Sequence, residues 1–190
     1  MFLGGNMQDS TRKYKGKSLV ELVDDYVLVD IETTGFSPVN DDIIEIGAIK
    51  VKDNKVIDEY HSLIKIDHRL NSYITNLTGI TNDMLEDGKD IDVVLNEFLE
   101  FTGDNILMAH NANFDINFLY EKSQMYVDKY LTNDFIDTMR VSRKMLPGLP
   151  NYKLGTLASY FDIDYSNAHR GLEDVKITYG VYNKLREIEV

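Results

Sequence analysis

Apolar and polar residues recur along this chain with two different periods, and the period separates strand from helix. Tyr26-Val27-Leu28-Val29-Asp30-Ile31 reads as a buried strand, with Val27, Val29 and Ile31 on one face. Residues 43–51 and 56–66 read as two further strands joined by a turn at Asp53-Asn54, which suggests a meander. Ile91, Val94, Leu95, Phe98 and Leu99 follow helical spacing until Gly103 closes that helix, and residues 106–109 return as a strand. Next, Asp115, Phe118 and Leu119 fall at i, i+3 and i+4, predicting a helix capped by Asn111 or Asn113. Phe135-Ile136 is a short strand, after which Asp137 is placed to cap a helix over 138–145. Pro147-Gly148-Leu149-Pro150 breaks the chain before a short helix at 154–161, and Asp174, Ile177, Val181 and Leu185 stripe the last helix. The order βββαβαβ, followed by helices, predicts an α/β domain with a mixed five-stranded sheet flanked by helices.

Two carboxylates interrupt this pattern where burial is expected. Asp30 and Glu32 share one face of the first strand, roughly 7 Å apart along the chain, with Leu28 on the same side. Burying two anions without compensation costs several kcal/mol each, on the order of the effective penalty in real proteins. A hard divalent cation is the simplest remedy. Asp115 and Asp174 repeat the anomaly, each topping an otherwise apolar helical stripe, and His169 precedes Asp174 by five residues. At about 100° per residue, that interval places His169 at the helix entrance or in the loop before it. Two divalent ions about 4 Å apart, held by shared carboxylates, can activate a water and stabilise the leaving oxygen of a phosphodiester. A histidine beside them can take the proton from that water.

At these residues the chain resembles the DEDDh 3′→5′ exonucleases, the family that includes the proofreading subunit of bacterial DNA polymerase III. The first motif stands as Asp30-Ile31-Glu32-Thr33-Thr34-Gly35, the second as His110-Asn111-Ala112-Asn113-Phe114-Asp115, the third as His169-Arg170-Gly171-Leu172-Glu173-Asp174. Similarity runs from about Asp25 to the end and takes in residues 43–48, 77–81 and 137–138. The resemblance implies a ribonuclease H-like fold and two divalent ions, Mg²⁺ or Mn²⁺. Asp30 would bridge both ions, Glu32 and Asp174 would hold the one that carries the attacking water, Asp115 would hold the second, and His169 would be the base. It implies action on single-stranded or frayed 3′ ends, releasing nucleoside 5′-monophosphates. Thr33, Thr34, Phe36 and Phe114 would then seat the terminal nucleotide, although either phenylalanine can equally be ordinary packing. The Thr-Thr-Gly sequence leans toward the polymerase-associated group, hence toward DNA and a DNA polymerase partner. An RNA-trimming enzyme resembling ribonuclease T or oligoribonuclease is the alternative. A binding module without activity is disfavoured, because nothing physical would preserve four clustered, mutually repelling acids.

The remaining chain narrows the picture. No cysteine is present, so thiolate sites and cysteine nucleophiles are excluded. A net charge of −12 argues against broad affinity for nucleic acid and for a site gripping a few nucleotides near an end. Arg140, Arg143, Lys144 and Lys153 are candidate phosphate contacts or a solvated face. Apolar runs too short to span a membrane and the lack of a signal-peptide core predict a cytoplasmic protein. Residues 1–18, with Lys13, Lys15 and Lys17 alternating with Tyr14 and Gly16, read as a flexible arm or an added strand, leaving 19–190 as one domain. Glu45 lies in a strand between two isoleucines, either hydrogen-bonded or on an exposed face. His110 is expected to be structural, while His61 and His68 belong to no recognisable group. Gly171, where many of the resembling enzymes carry alanine, is expected to loosen the turn that positions His169.

Overall fold

The computed structural model describes residues 12–166 and 170–188; His169 and residues 1–11 of the arm lie outside the described residues. The elements are β1 (Ser18–Leu19), β2 (Tyr26–Thr33), β3 (Ile43–Lys52), β4 (Lys55–Leu63), α1 (Ser72–Thr78), α2 (Asn82–Glu86), α3 (Ile91–Thr102), β5 (Leu107–Ala109), α4 (Asn113–Val127), β6 (Phe135–Asp137), α5 (Thr138–Met145), α6 (Leu154–Tyr160) and α7 (Gly171–Ile188). One sheet carries the order β1-β6-β5-β2-β3-β4. The β2-β3-β4 meander is antiparallel, and β2, β5, β6 and β1 run parallel. No helix among the described residues is long and apolar enough to cross a membrane.

Period-two alternation in β2 builds both sides of the molecule. Val27, Val29 and Ile31 pack with α3 and α4, whereas Tyr26 and Leu28 pack with α5, α6 and α7. Asp30 and Glu32 therefore end the strand on the α7 face. The hairpin between β3 and β4 turns at Asp53 and Asn54, whose φ values of 49° and 60° are the left-handed pair that matches strand twist.

The five expected strands are present, and the structure adds a sixth at the edge. Here β1 pairs with β6 over only two residues, Ser18 with Phe135 and Leu19 with Ile136. Phe135 N donates to Lys17 O at 2.9 Å, and Lys17 N donates to the Asp134 carboxylate at 2.7 Å. Two residues give no alternation to read. Helices α1 and α2 were not expected as elements, being 7 and 5 residues long. Their punctuation is nonetheless in the sequence: Asn71 caps α1, Gly79 closes it at φ 73°, and Thr81 caps α2. Together with Ile44, Leu70 and Ile80 they form a small apolar cluster where β3 begins.

Neither asparagine caps α4. Ala112 is the N-cap and makes no side-chain cap bond. Asn111 sits at φ 66° with its N–H given to Asp137, while the Asn113 side chain accepts from Lys15 Nζ. Both are engaged by other segments.

Gly171 opens α7 rather than lying in its interior, and its role is close approach. A Cβ on Gly171 would stand 3.0 Å from Gly47 N and 3.3 Å from Asp30 O, while one on Gly47 would fall 2.3 Å from the Gly171 carbonyl carbon. Two facing glycines thus let the start of α7 lie directly on β3. Gly47→Ala should displace that helix and cost about 1–3 kcal/mol, the usual range for overpacking, with Gly171→Ala milder. Denaturant melts of both variants check this; equal stability of the Gly47 variant and wild type would contradict the close approach.

Candidate active site

The end of β2 and the first turn of α7 converge on one point. Asp30, Glu32 and Asp174 offer carboxylate oxygens that all lie within 4.8 Å of one another. Asp174 N donates to Arg170 O at 2.9 Å in the first turn of the helix, so the position of Asp174 follows from how Arg170 and Gly171 are docked. Asp115 arrives from the opposite face of the sheet, in the first turn of α4. It is buried, and its Oδ1 accepts from the N–H of Ile31, the residue between Asp30 and Glu32, at 3.2 Å. The structure therefore brings three of the four expected acids into one tight group and seats the fourth against their backbone.

Asp30, Glu32 and Asp115 resist ionisation. Burial, then the charges of Asp115, Asp174, Glu32 and Glu45, hold Asp30 well above the ordinary carboxylate range. Glu32 is raised from 4.5 to about 8 by burial and by Asp174 and Glu45, with Arg170 opposing. Asp115 is raised by burial, partly offset by hydrogen bonds from its own and the Ile31 peptide N–H. Such a donor set, all oxygen and strongly repelling, fits hard divalent cations of the Mg²⁺ or Mn²⁺ kind.

Glu45 behaves oppositely. Fully buried on β3 directly across from Glu32, it accepts from His61 Nε2 at 2.7 Å, Arg170 Nη2 at 2.9 Å and Gly171 N at 2.8 Å. Burial alone would raise its pKa, but the bonds from His61, Arg170 and Gly171 bring it down to about 2. This resolves Glu45 as a hydrogen-bonded core carboxylate and gives His61 the partner that the sequence did not reveal. Arg170 was also missed. Alternation could have put Glu45 on the Glu32 face, but only the strand register brings His61 there.

His110 has both ring nitrogens engaged, the arrangement that a structural role requires. Its Nε2 contacts Tyr152 O and its Nδ1 contacts Thr138 Oγ1, both at 2.9 Å, and burial lowers its pKa. Asp137 caps α5 through Met139 N and also accepts from Asn111 N. Thr33 and Thr34 start the 34–42 loop: the Thr33 hydroxyl donates to Gly35 O at 2.6 Å, and Thr34 Oγ1 accepts from Asp42 N at 2.9 Å. Both hydroxyls thus brace the loop itself. Phe36 projects from it, 85 % exposed, its ring centroid 6.3 Å from that of Phe114 in an edge-on arrangement. Among the basic residues, Arg140 is bonded to Ser18 and Arg143 lies over the Tyr152 ring.

Comparison with known proteins places this geometry. The family model described as exonuclease, of the RNase T type, matches residues 27–182. The chain belongs to this exonuclease family. It is 41 % identical over 172 residues to the PolC-type DNA polymerase III of Caldanaerobacter subterraneus, and 43 % identical over 155 residues to that of Bacillus subtilis. These matches cover 90 % and 80 % of this exonuclease domain, which spans only 12 % and 11 % of the polymerases' length. Among solved structures, exonuclease X in complex with 5′ overhanging duplex DNA aligns with a TM-score of 0.70 at 24 % identity, covering 85 % of this chain and 91 % of that one. Exonuclease I of E. coli, bound to a dT13 oligonucleotide, aligns with 0.75 at 19 % identity, covering 88 % and 42 %. These likenesses establish the ribonuclease H-like fold.

The raised acids give the exonuclease a distinctive pH response. Glu32 titrates near 4.5 when unfolded and near 8 when folded, so the folded state binds more protons in between. Its contribution to stability is present below about 4.5 and is lost as pH rises through about 8. Without metal, the melting temperature should therefore fall between pH 5 and pH 8, and a divalent cation should reverse the fall. At ten times its dissociation constant an ion contributes roughly 1.4 kcal/mol, or about 3–6 °C in a domain of this size. Thermal melts in chelator, Mg²⁺ and Mn²⁺ across that range test this; no metal-dependent shift at pH 8 would count against a protein-held cation.

Proposed function

We propose that this exonuclease domain hydrolyses DNA from single-stranded or frayed 3′ ends, releasing nucleoside 5′-monophosphates with the help of two divalent ions, Mg²⁺ or Mn²⁺. The observation that carries the reading is the convergence of Asp30, Glu32 and Asp174, with Asp115 seated against the same strand end. Bound divalent ions supply Lewis acidity at a phosphodiester, the chemistry that such a carboxylate set supports. Asp30, Glu32, Asp174 and Asp115 hold them, and His169 takes the proton from the attacking water. Phe36, exposed beside Phe114, presents a ring on which the terminal base can stack. Thr33 and Thr34 shape the loop that carries it, and their backbone lies beside the 3′ end.

DNA is favoured over RNA because the relatives are DNA polymerases by name and both structural neighbours were solved with DNA. The relatives' name, DNA polymerase III, favours a proofreading or repair role beside a DNA polymerase, and the short apolar runs of the sequence are the ground on which we read the protein as cytoplasmic. Residues 19–190 are read as the exonuclease domain, with 1–18 as the arm leading into it.

Matched DNA and RNA oligonucleotides labelled at either end test the reading. The expected result is mononucleotide release from the unlabelled 3′ end of the 5′-labelled DNA ladder, dependent on Mg²⁺ or Mn²⁺ and slower on RNA. Internal cuts, release from the 5′ end, or activity that survives chelation would refute it. Faster trimming of RNA would transfer the assignment to the RNA-processing alternative.

A further inference from the structure

Glu32 and Glu45 stand directly opposite each other on β2 and β3, an arrangement of like charges that destabilises a sheet unless a cation intervenes. Arg170 intervenes in a particular way. Its Nε and Nη2 donate to Glu45 at 3.2 and 2.9 Å, a two-pronged grip on one edge of the guanidinium. A guanidinium has five donors in one rigid plane. Among the described residues Nη1 has no hydrogen-bond partner, and the side chain is 36 % exposed.

The grip explains why the arginine does not collapse into the acids. An unrestrained cation beside Asp30, Glu32 and Asp174 would be drawn into the group and compete with divalent ions. Glu45, fully buried and held also by His61 and Gly171 N–H, fixes the guanidinium at the rim instead. Its charge still reaches Glu32, whose acidity it increases. What remains is a solvent-facing pair of N–H donors, preorganised next to the acids, in a protein of net charge −12. That is a site for an oxyanion.

We propose that Arg170, through Nη1, donates a hydrogen bond to a nonbridging oxygen of the scissile phosphodiester. The inference rests on the nuclease reading above. Positioned donors of this kind act where charge accumulates as the bond to phosphorus forms, and Glu45 is the residue that positions it.

The experiment compares wild type with Arg170→Lys, which keeps the ion pair to Glu45 but has no second edge, and with Arg170→Met. Each acts on an unmodified DNA oligonucleotide and on its Rp and Sp phosphorothioates at the terminal linkage. Loss of one charge-assisted bond should lower kcat/KM on the unmodified substrate about 10–100-fold. Sulfur at the contacted oxygen should then slow the variants less than it slows wild type, for one diastereomer and not the other. Metal-dependent melting of Arg170→Lys should match wild type. A loss of the same factor on all three substrates would make Arg170 only a structural partner of Glu45 and overturn the proposal, as would no loss at all. Absence of nuclease activity in wild type itself would instead sink the parent reading, and this inference with it.

Discussion

Asp30→Ala is expected to abolish hydrolysis while leaving the protein folded. Asp30 sits in the middle of the acid group, repelled by the charge of Asp115 on one side of the sheet and by Asp174 and Glu32 on the other. By the family resemblance it would hold both ions, so its removal should disable both positions. The metal-free fold should not suffer in proportion, because the substitution also removes a half-buried carboxylate that is held protonated against its neighbours. Melting without metal at pH 8 is expected at or near the wild-type temperature, and the rise with Mn²⁺ should disappear. Activity above a tenth of wild type, measured on the 5′-labelled DNA, would contradict the two-ion assignment.

The second large effect separates the two histidines of the motifs. His169→Ala should lose roughly 10²–10⁴-fold in single-turnover rate, the usual contribution of a positioned base, and keep the metal-dependent rise in melting temperature because all four acids remain. His110→Ala should behave differently. Both of its ring nitrogens are bonded, to Thr138 and to Tyr152 O, and these contacts join the end of β5 to α5 and the segment before α6. Its loss is therefore expected to lower stability and activity together. If His169→Ala cleaves at near wild-type rate while His110→Ala is folded and inactive, the assignments must be exchanged.

Features with local, periodic signatures were legible in the sequence. Alternation in β2 put Asp30 and Glu32 on one face, helical spacing put Asp115 and Asp174 on core-facing stripes, and Asp137 capped α5 as its position implied. Features made by partners distant in the chain were not. Glu45 became a core anchor only through Arg170 and Gly171, 125 and 126 residues away, and through the register that brings His61 near it. Ala112 stands at the cap in place of the expected asparagines: Asn111 lies before it in the left-handed region with its N–H bound to Asp137, and the Asn113 side chain is taken by Lys15. Short elements were lost for another reason: α1 and α2 span too few residues for a period to emerge, and β1 matches only one of the two readings, arm or added strand, of the N-terminal stretch.

Asp115 and Asp174 reach the end of β2 from helices on opposite faces of the sheet, each near its own helix start. A cation that engages both would tie together two layers that otherwise pack in separate apolar clusters. Local opening at the start of α4 and at the start of α7 would then cease to be independent events. Amide hydrogen exchange should show it: as Mn²⁺ is titrated, protection at the beginnings of these two helices should rise in parallel, while their far ends exchange as before.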